Sequence, residues 1–297
     1  MTSGRWAQPL RHPGAVAAER RVSVPTSSTS ARVTLPAGAR LVDAMAHEIE
    51  ALGASSGQVE LLDGSLSQVS YCVPALCHDG TTAVTFSSTR EAVTPARLIA
   101  GSATVGFRHG QRFAHCHAAW FDAYGEVRGG HVWPETVIGP GPVHAVVHAL
   151  GQAELISDTD AETRLPVFTP RPSQAGGANR PGAVRAAMSR VAPGVRLAAA
   201  IRDVMRENGF EHASIAGSVG SLVGAVLRRD GGAFVVDGPA TEASLIGRFD
   251  LRDPSAPFSW ISGVAIDRFG NVHRGEFLDE ENIVAVTFEL LVEEVTR

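Results

Sequence analysis

The chain has 297 residues, of which 44% are hydrophobic and 19% charged, with a formal net charge of −5. This is the composition of an ordinary globular protein with room for two domains. All 26 basic residues are arginines, which excludes a lysine Schiff base, a pyridoxal phosphate attachment and a phosphate-loop lysine. The negative charge argues against a protein that wraps nucleic acid by neutralising many phosphates.

The N-terminal residues 1–30 contain several arginines, prolines and serines but no apolar core stretch. We predict a flexible extension here and not a secretory signal. No run of about 18 apolar residues follows, so we expect no membrane span. Cys72, Cys77 and Cys116 are an odd number of cysteines, which favours a reducing, cytoplasmic location over a disulfide framework.

The chain then shows an internal repeat. At an offset of 156 residues, LPAGARLVDAMAHEIEALG (35–53) matches VAPGVRLAAAIRDVMRENG (191–209). Apolar residues four apart predict an amphipathic helix in each segment, which ends at Gly53 or Gly209. At an offset of 145 residues, FDAYGEVRGGH (121–131) matches IDRFGNVHRGE (266–276). The shorter offset indicates shorter loops in the second copy.

The repeat predicts the domain organisation. We expect a first domain over 31–160, a proline- and glycine-rich linker over 161–185 and a second domain over 186–297. Each copy runs strand, helix and then short strands such as ATVGF, FAHCHAAWF and VHAVVHAL. The predicted fold class is α+β, with one helix packed on a mainly antiparallel or mixed sheet in each of two tandem domains.

Three histidines of the first copy have a spacing that suits a metal ion. His115 and His117 are two residues apart, so a strand directs both side chains to one face. A three-residue turn over 123–125, with Gly125 in the left-handed conformation, then places His131 directly opposite His117. Three neutral imidazoles with one free position form a zinc site of the open type, although nickel, cobalt or iron also bind such a set. The alternative is that these histidines lie on the exposed face of an edge strand.

An open zinc site polarises carbonyl oxygens and requires an acid or base within reach for catalysis. Glu135, four residues after His131, is the predicted catalytic residue, with Glu126 and Asp122 as further candidates. Asp122 also has a match in Asp267, which favours a role in stabilising the turn.

Other residues near the histidines are ambiguous. Arg108, Arg112 and Arg128 flank the cluster, and one of them could bind a substrate carboxylate. His144 and His148 are four apart in VHAVVHAL, which we interpret as core or interface histidines in preference to a second metal site.

The order of motifs resembles the PPC domain family, also called PCC or DUF296. The shared motifs are PxGxxL on a helix, a glycine–serine element, HxH, a D-x-x-G turn, GGH and VIGPGPV. The resemblance covers nearly all of both copies and is stronger in the first. It implies an α/β domain that forms homotrimers and, in prokaryotic members, a metal held by the residues that are His115, His117 and His131 here.

The resemblance leaves two function classes open. Plant members are tied to AT-rich DNA, but this chain lacks an R-G-R-P core. The second copy has Trp260, Ser262 and Glu276 in place of the three histidines, so it is expected to lack the metal site. We therefore expect a metal-binding protein with a binding or catalytic function on a small organic acid or related metabolite. The alternatives are a DNA-associated regulator and a scaffold whose metal has a fourth protein ligand.

Overall fold

The computed structural model describes residues 9–173, 181–229, 231–236, 238–253 and 258–296. In the first half of the chain it contains one helix and twelve strands, which are β1 (Arg21–Leu35), α1 (Leu41–Ala51), β2 (Gly57–Gln68), β3 (Ser70–Cys72), β4 (Pro74–Leu76), β5 (Val84–Phe86), β6 (Arg90–Glu91), β7 (Ala96–Arg108), β8 (Gln111–Phe121), β9 (Val127–Val132), β10 (Val137–Leu150), β11 (Ala153–Thr159) and β12 (Pro166–Pro172). The second half contains β13 (Val184–Val191), α2 (Leu197–Asn208), β14 (His212–Leu222), β15 (Val226–Arg229), β16 (Gly232–Val235), β17 (Thr241–Asp250), β18 (Phe258–Ile266), β19 (Val272–Phe277) and β20 (Val284–Glu294).

The two halves have the same strand order. In the first half β1, β10, β2, β7, β8 and β9 are successive neighbours, and in the second half the succession is β13, β20, β14, β17, β18 and β19. Strand β1 joins the halves, because residues 21–28 pair with β13 and residues 28–35 pair with β10. The result is one large sheet of eighteen strands, antiparallel except for a single parallel contact between β7 and β11.

The predicted α+β class is therefore wrong, because the described chain is mostly β. Each half has a single helix of 11 or 12 residues, whereas β1 alone has 15 residues and runs through both halves. The sequence pattern located both helices correctly. The length and pairing of the strands depend on contacts distant in sequence, which local periodicity does not reveal.

Each helix covers the core of its own half. Leu41, Met45 and Ile49 of α1 are buried against the first sheet region, as Leu197 and Ile201 of α2 are against the second. Each helix is followed by the expected glycine, with φ of 75° at Gly53, two residues after α1, and 69° at Gly209, directly after α2. A left-handed conformation at this place is favourable for glycine because it has no Cβ.

The elements also cross the expected domain boundaries. Strand β1 begins at Arg21, inside the segment expected to be a flexible extension, and residues 1–8 lie outside the described residues. Strand β12 lies inside the expected linker, of which residues 174–180 are not described. The division at 31–160 and 186–297 stays a prediction. Neither helix of the described segments is long and apolar enough to cross a membrane.

Candidate metal centre

The hairpin of β8 and β9 brings the three histidines together. The register pairs His117 with His131, as the turn predicted. The turn is built by Asp122, whose amide donates to Glu126 and whose carboxylate accepts from the amides of Tyr124 and Glu126. Gly125 is left-handed at φ 82°. One turn residue thus fixes the strand register, and the register fixes the histidines on one patch.

Successive side chains of β8 point to opposite faces of the sheet, so the histidines lie on the face away from the core. Cys116, Ala118 and Trp120 point into the core of the first half, as expected for Cys116. His115 and His117 point to the opposite face, against the second half. His117 is 2% exposed and His131 is 5% exposed. These imidazoles are therefore interface side chains and not exposed residues of an edge strand.

Close packing explains the two glycines before His131. A Cβ on Gly130 would lie 2.5 Å from the carbonyl oxygen of Cys72, and one on Gly129 would lie 2.9 Å from side-chain atoms of Ile266 and Val272. Glycine at 130 lets β3 approach β9, whereas glycine at 129 lets the turn of the second half pack on β9.

The three imidazoles have the geometry of a metal-binding group. Their candidate ligand atoms all lie within 4.8 Å of one another, and Nε2 of His115 is 3.1 Å from Nε2 of His117. Two nitrogens on one tetrahedral zinc, each at about 2.0–2.1 Å from the ion, are about 3.3 Å apart. The three histidines can therefore bind a metal ion without large rearrangement.

The protonation states also fit a metal. Burial, together with the neighbouring His115 and, for His117, also His131, holds the pKa of His117 and His131 well below the usual value. Both imidazoles are therefore neutral, as ligation requires. Nδ1 of His131 is buried with no hydrogen-bond partner among the described residues, which is unfavourable unless a ligand contacts it.

Residues of the second half orient two of the histidines. Nδ1 of His115 contacts the carboxylate of Glu289, which is 0% exposed. Nδ1 of His117 lies 3.3 Å from the carbonyl oxygen of Ala243, and the Ser244 hydroxyl donates to the His117 carbonyl at 3.0 Å. Such contacts fix the tautomer so that Nε2 can face a metal. Glu289 was not predicted from the sequence, although a lone acid in the apolar strand VAVTFELLV was a signal.

A second carboxylate of the second half lies beside the cluster. Glu242 is 2% exposed, and its Oε1 lies 3.9 Å from Nε2 of His117. Burial raises the pKa of Glu242 well above its usual value. Since His117 is neutral and 3.9 Å exceeds hydrogen-bond length, this contact is not an ion pair.

The histidines line a cavity of about 240 Å³. The cavity is bounded by residues of both halves and of the expected linker, and most of its wall is apolar. Its polar wall residues are the three histidines with Arg108, Ser157, Ser221, Glu242, Thr85 and Thr287. A concave, largely apolar site with few convergent polar groups is typical of small-molecule binding.

The other predicted site residues have different positions. Glu135 is exposed in the turn between β9 and β10 and does not line the cavity, so its catalytic role stays a prediction. Asp122 stabilises its turn, as expected. Of the three arginines, Arg108 lines the cavity, Arg112 pairs with Glu50, and Arg128 lies beside a separate pocket near Tyr124.

His144 and His148 do not form a second metal site. His144 is exposed and pairs with Asp63 at 2.7 Å, so its interpretation as a core or interface histidine was wrong. His148 is 6% exposed and lies between Glu293 of the second half, at 2.9 Å, and Glu60. It is an interface histidine, as interpreted from the sequence.

The second half matches a known domain. Residues 178–296 match the Plants and Prokaryotes Conserved (PCC) domain. The match thus falls on the half without the three histidines, where the resemblance was weaker, and it supports the domain and not the metal site. No curated protein matches the chain.

Three solved structures illustrate the similarity. A candidate DNA-binding protein from Ralstonia eutropha JMP134 is 13% identical, with a TM-score of 0.38 over 46% of this chain and 88% of that one. A metal-containing protein from Archaeoglobus fulgidus is 18% identical, with a TM-score of 0.37 over 48% of this chain and 94% of that one. A plant- and prokaryote-conserved (PPC) protein from Pyrococcus horikoshii is 14% identical, with a TM-score of 0.36 over 52% and 97%. These similarities are too weak to carry a conclusion about function.

Proposed function

We propose that this chain is a protein of two tandem PPC domains that holds one zinc ion through His115, His117 and His131 and acts on a small organic acid. The observation that carries the proposal is that three imidazoles, two of them buried and neutral, come together in the wall of a cavity. When bound, zinc with three protein ligands supplies a Lewis acid with one free position. Hydrolysis, hydration and isomerisation are reactions that such a centre supports.

The cavity wall supports an organic acid as the ligand. Arg108 stacks over Phe113, with its guanidinium carbon 5.3 Å from the ring centroid, and among the described residues it has no carboxylate partner. A guanidinium can bind a ligand carboxylate with two parallel hydrogen bonds. The volume of about 240 Å³ is just below the roughly 300–1,000 Å³ of most ligand pockets, so the ligand is small.

The metal content of purified protein tests the proposal. We expect about one zinc per chain by elemental mass spectrometry, and loss of the metal in His117→Ala because two imidazoles bind zinc weakly. His144→Ala is the matched control, since His144 is exposed and outside the cavity. Native protein that remains free of metal after incubation with zinc would contradict the proposal.

Binding of carboxylates then tests the cavity. Zinc-loaded protein is screened with small carboxylates by thermal unfolding, and a ligand at a hundred times its Kd stabilises the fold by about 2.7 kcal/mol. We expect Arg108→Gln to abolish this stabilisation while the zinc content stays unchanged. Equal stabilisation of the variant would argue against Arg108 as the anchor.

A DNA-associated or regulatory function is the alternative proposal. The resemblance to the PPC family supports it, because plant members of that family are tied to AT-rich DNA. The net charge of −5 opposes it. Binding of duplex DNA at near-physiological salt, with an affinity that falls steeply as salt rises, would favour this alternative.

We also propose that the chain forms a homotrimer in the cytoplasm. The trimer follows from the family resemblance, and the cytoplasmic location from the three free cysteines. Light scattering after size-exclusion chromatography measures the mass and distinguishes a trimer from a monomer or dimer.

A further inference from the structure

The buried acids of this protein fall into two groups. Among the described residues five acidic side chains are buried: Glu162, Glu242, Asp267, Glu289 and Glu293. Four of them have partners, because Glu162 pairs with Arg20, Asp267 accepts bonds from its own turn, and Glu289 and Glu293 contact His115 and His148. Both carboxylate oxygens of Glu242 lack a hydrogen-bond partner in the described part of the chain.

A buried carboxyl group without a partner is unfavourable for folding. Such a group persists where it serves a ligand that the polypeptide itself does not provide. Glu242 lines the same cavity as the three histidines, and its position on β17 is held by the pairing of that strand with β14 and β18. The fold therefore directs an unpartnered acid into the wall of the metal centre.

We propose that Glu242, beside the residues of the second half that orient the histidines, contributes a further functional group to this centre. Its carboxyl group forms a hydrogen bond with the water or substrate group that occupies the position left free by the three histidines. This inference rests on the proposed zinc site and adds a residue that contacts the bound substrate.

The distances favour this role over direct ligation. Glu242 is not part of the group whose ligand atoms lie within 4.8 Å of one another, and its Oε1 is 3.9 Å from Nε2 of His117. Ligand atoms on one tetrahedral zinc are about 3.3 Å apart. In the proposed role Glu242 acts through the atom in the free position, and an O–H···O hydrogen bond to that atom has a length of roughly 2.5–3.0 Å.

Cobalt(II) titration of metal-free protein tests the inference with a readout that needs no substrate. The proteins are wild type, Glu242→Gln and His117→Ala, with Glu276→Gln as the matched control. Glu276 is a glutamate of the second half at the position that corresponds to His131. It pairs with Arg228 and does not line the cavity. The readouts are stoichiometry, Kd, the visible spectrum and the urea midpoint of the metal-free form.

We expect wild type, Glu242→Gln and Glu276→Gln each to bind one cobalt per chain. In Glu242→Gln the Kd rises by about 10- to 100-fold, the usual effect of losing a group just outside the ligands, and the visible band changes. The metal-free variant unfolds at a urea midpoint equal to or above that of wild type, because an amide is easier to bury than an unpartnered acid.

Three results would overturn the inference. An unchanged Kd and spectrum would mean that Glu242 does not face the ion. Loss of cobalt as complete as in His117→Ala would make Glu242 a direct ligand. A clearly lower urea midpoint of the metal-free variant would make the role structural. In each case wild type still binds cobalt, whereas wild type that binds none would refute the zinc proposal as well.

Discussion

The two halves of this protein share a strand order but differ in what covers the same face of their sheets. In the first half this face carries His115, His117 and His131, and β17 and β20 of the second half cover it. In the second half the corresponding residues are Trp260, Ser262 and Glu276, and Trp260 is 37% exposed. The proposed metal centre thus combines the three histidines with strands of the second half that orient them.

Transplanting the ligands gives the largest expected effect. Trp260→His, Ser262→His and Glu276→His are combined in a His117→Ala background, so that any remaining site is the new one. Within the described part of the chain, no hydrogen-bond partner faces the side chains of Trp260 and Ser262, so the new site has no equivalent of Glu289 or of the Ala243 carbonyl there. Since each outer partner contributes about 10- to 100-fold, we expect zinc affinity about 100- to 10,000-fold below that of the native centre. Competition with a chromophoric chelator measures both constants, and equal affinities would show that the cover is unimportant.

The interface between the two halves holds β17 and β20 against the histidines, and we expect it to make the free energy of unfolding depend on pH. At the offset of 145 residues, His148 of the first half corresponds to Glu293 of the second, and the two side chains are 2.9 Å apart. Burial lowers the pKa of His148, but hydrogen bonds and charge from Glu293 and Glu60 outweigh it and raise this pKa from 6.5 to about 9. The folded state therefore binds the proton more tightly than the unfolded state.

Protonated His148 therefore stabilises the folded state. This stabilisation is fully present below about pH 6.5 and is lost as the pH rises through about 9. We expect the free energy of unfolding to fall on the order of 3 kcal/mol between pH 6 and 10. Urea unfolding of metal-free wild type and His148→Gln at several pH values measures the difference. A His148→Gln variant with the same decline as wild type would assign the pH dependence to other groups.

Replacing Glu289, a residue of β20 that contacts the histidines, gives the smallest of the three expected effects. Glu289→Gln keeps the size of the side chain that contacts His115 but removes its charge. We expect zinc to bind about 10- to 100-fold more weakly, or about 1.4–2.8 kcal/mol, with one ion per chain retained. Isothermal titration calorimetry measures the change, and an affinity equal to that of wild type would remove Glu289 from the centre.

The sequence predicted local features correctly where neighbouring residues control them. Asp122 and Gly125 build the turn, and the turn alone sets His117 opposite His131. Gly53 and Gly209 end both helices for a reason that is also local. The α+β class was wrong because the pairing of β1 with β10 and with β13 joins segments more than a hundred residues apart.

The histidine patch of the first half was determined by the sequence itself, because strand alternation and turn chemistry act over a few residues. Which residues of the second half contact this patch was decided only by the tertiary structure. Glu242 and Glu289 lie more than 100 residues beyond the histidines, and packing of the two halves brings them to His117 and His115. No spacing in the chain encodes that contact, since it arises when two sheet regions bury their apolar faces against each other.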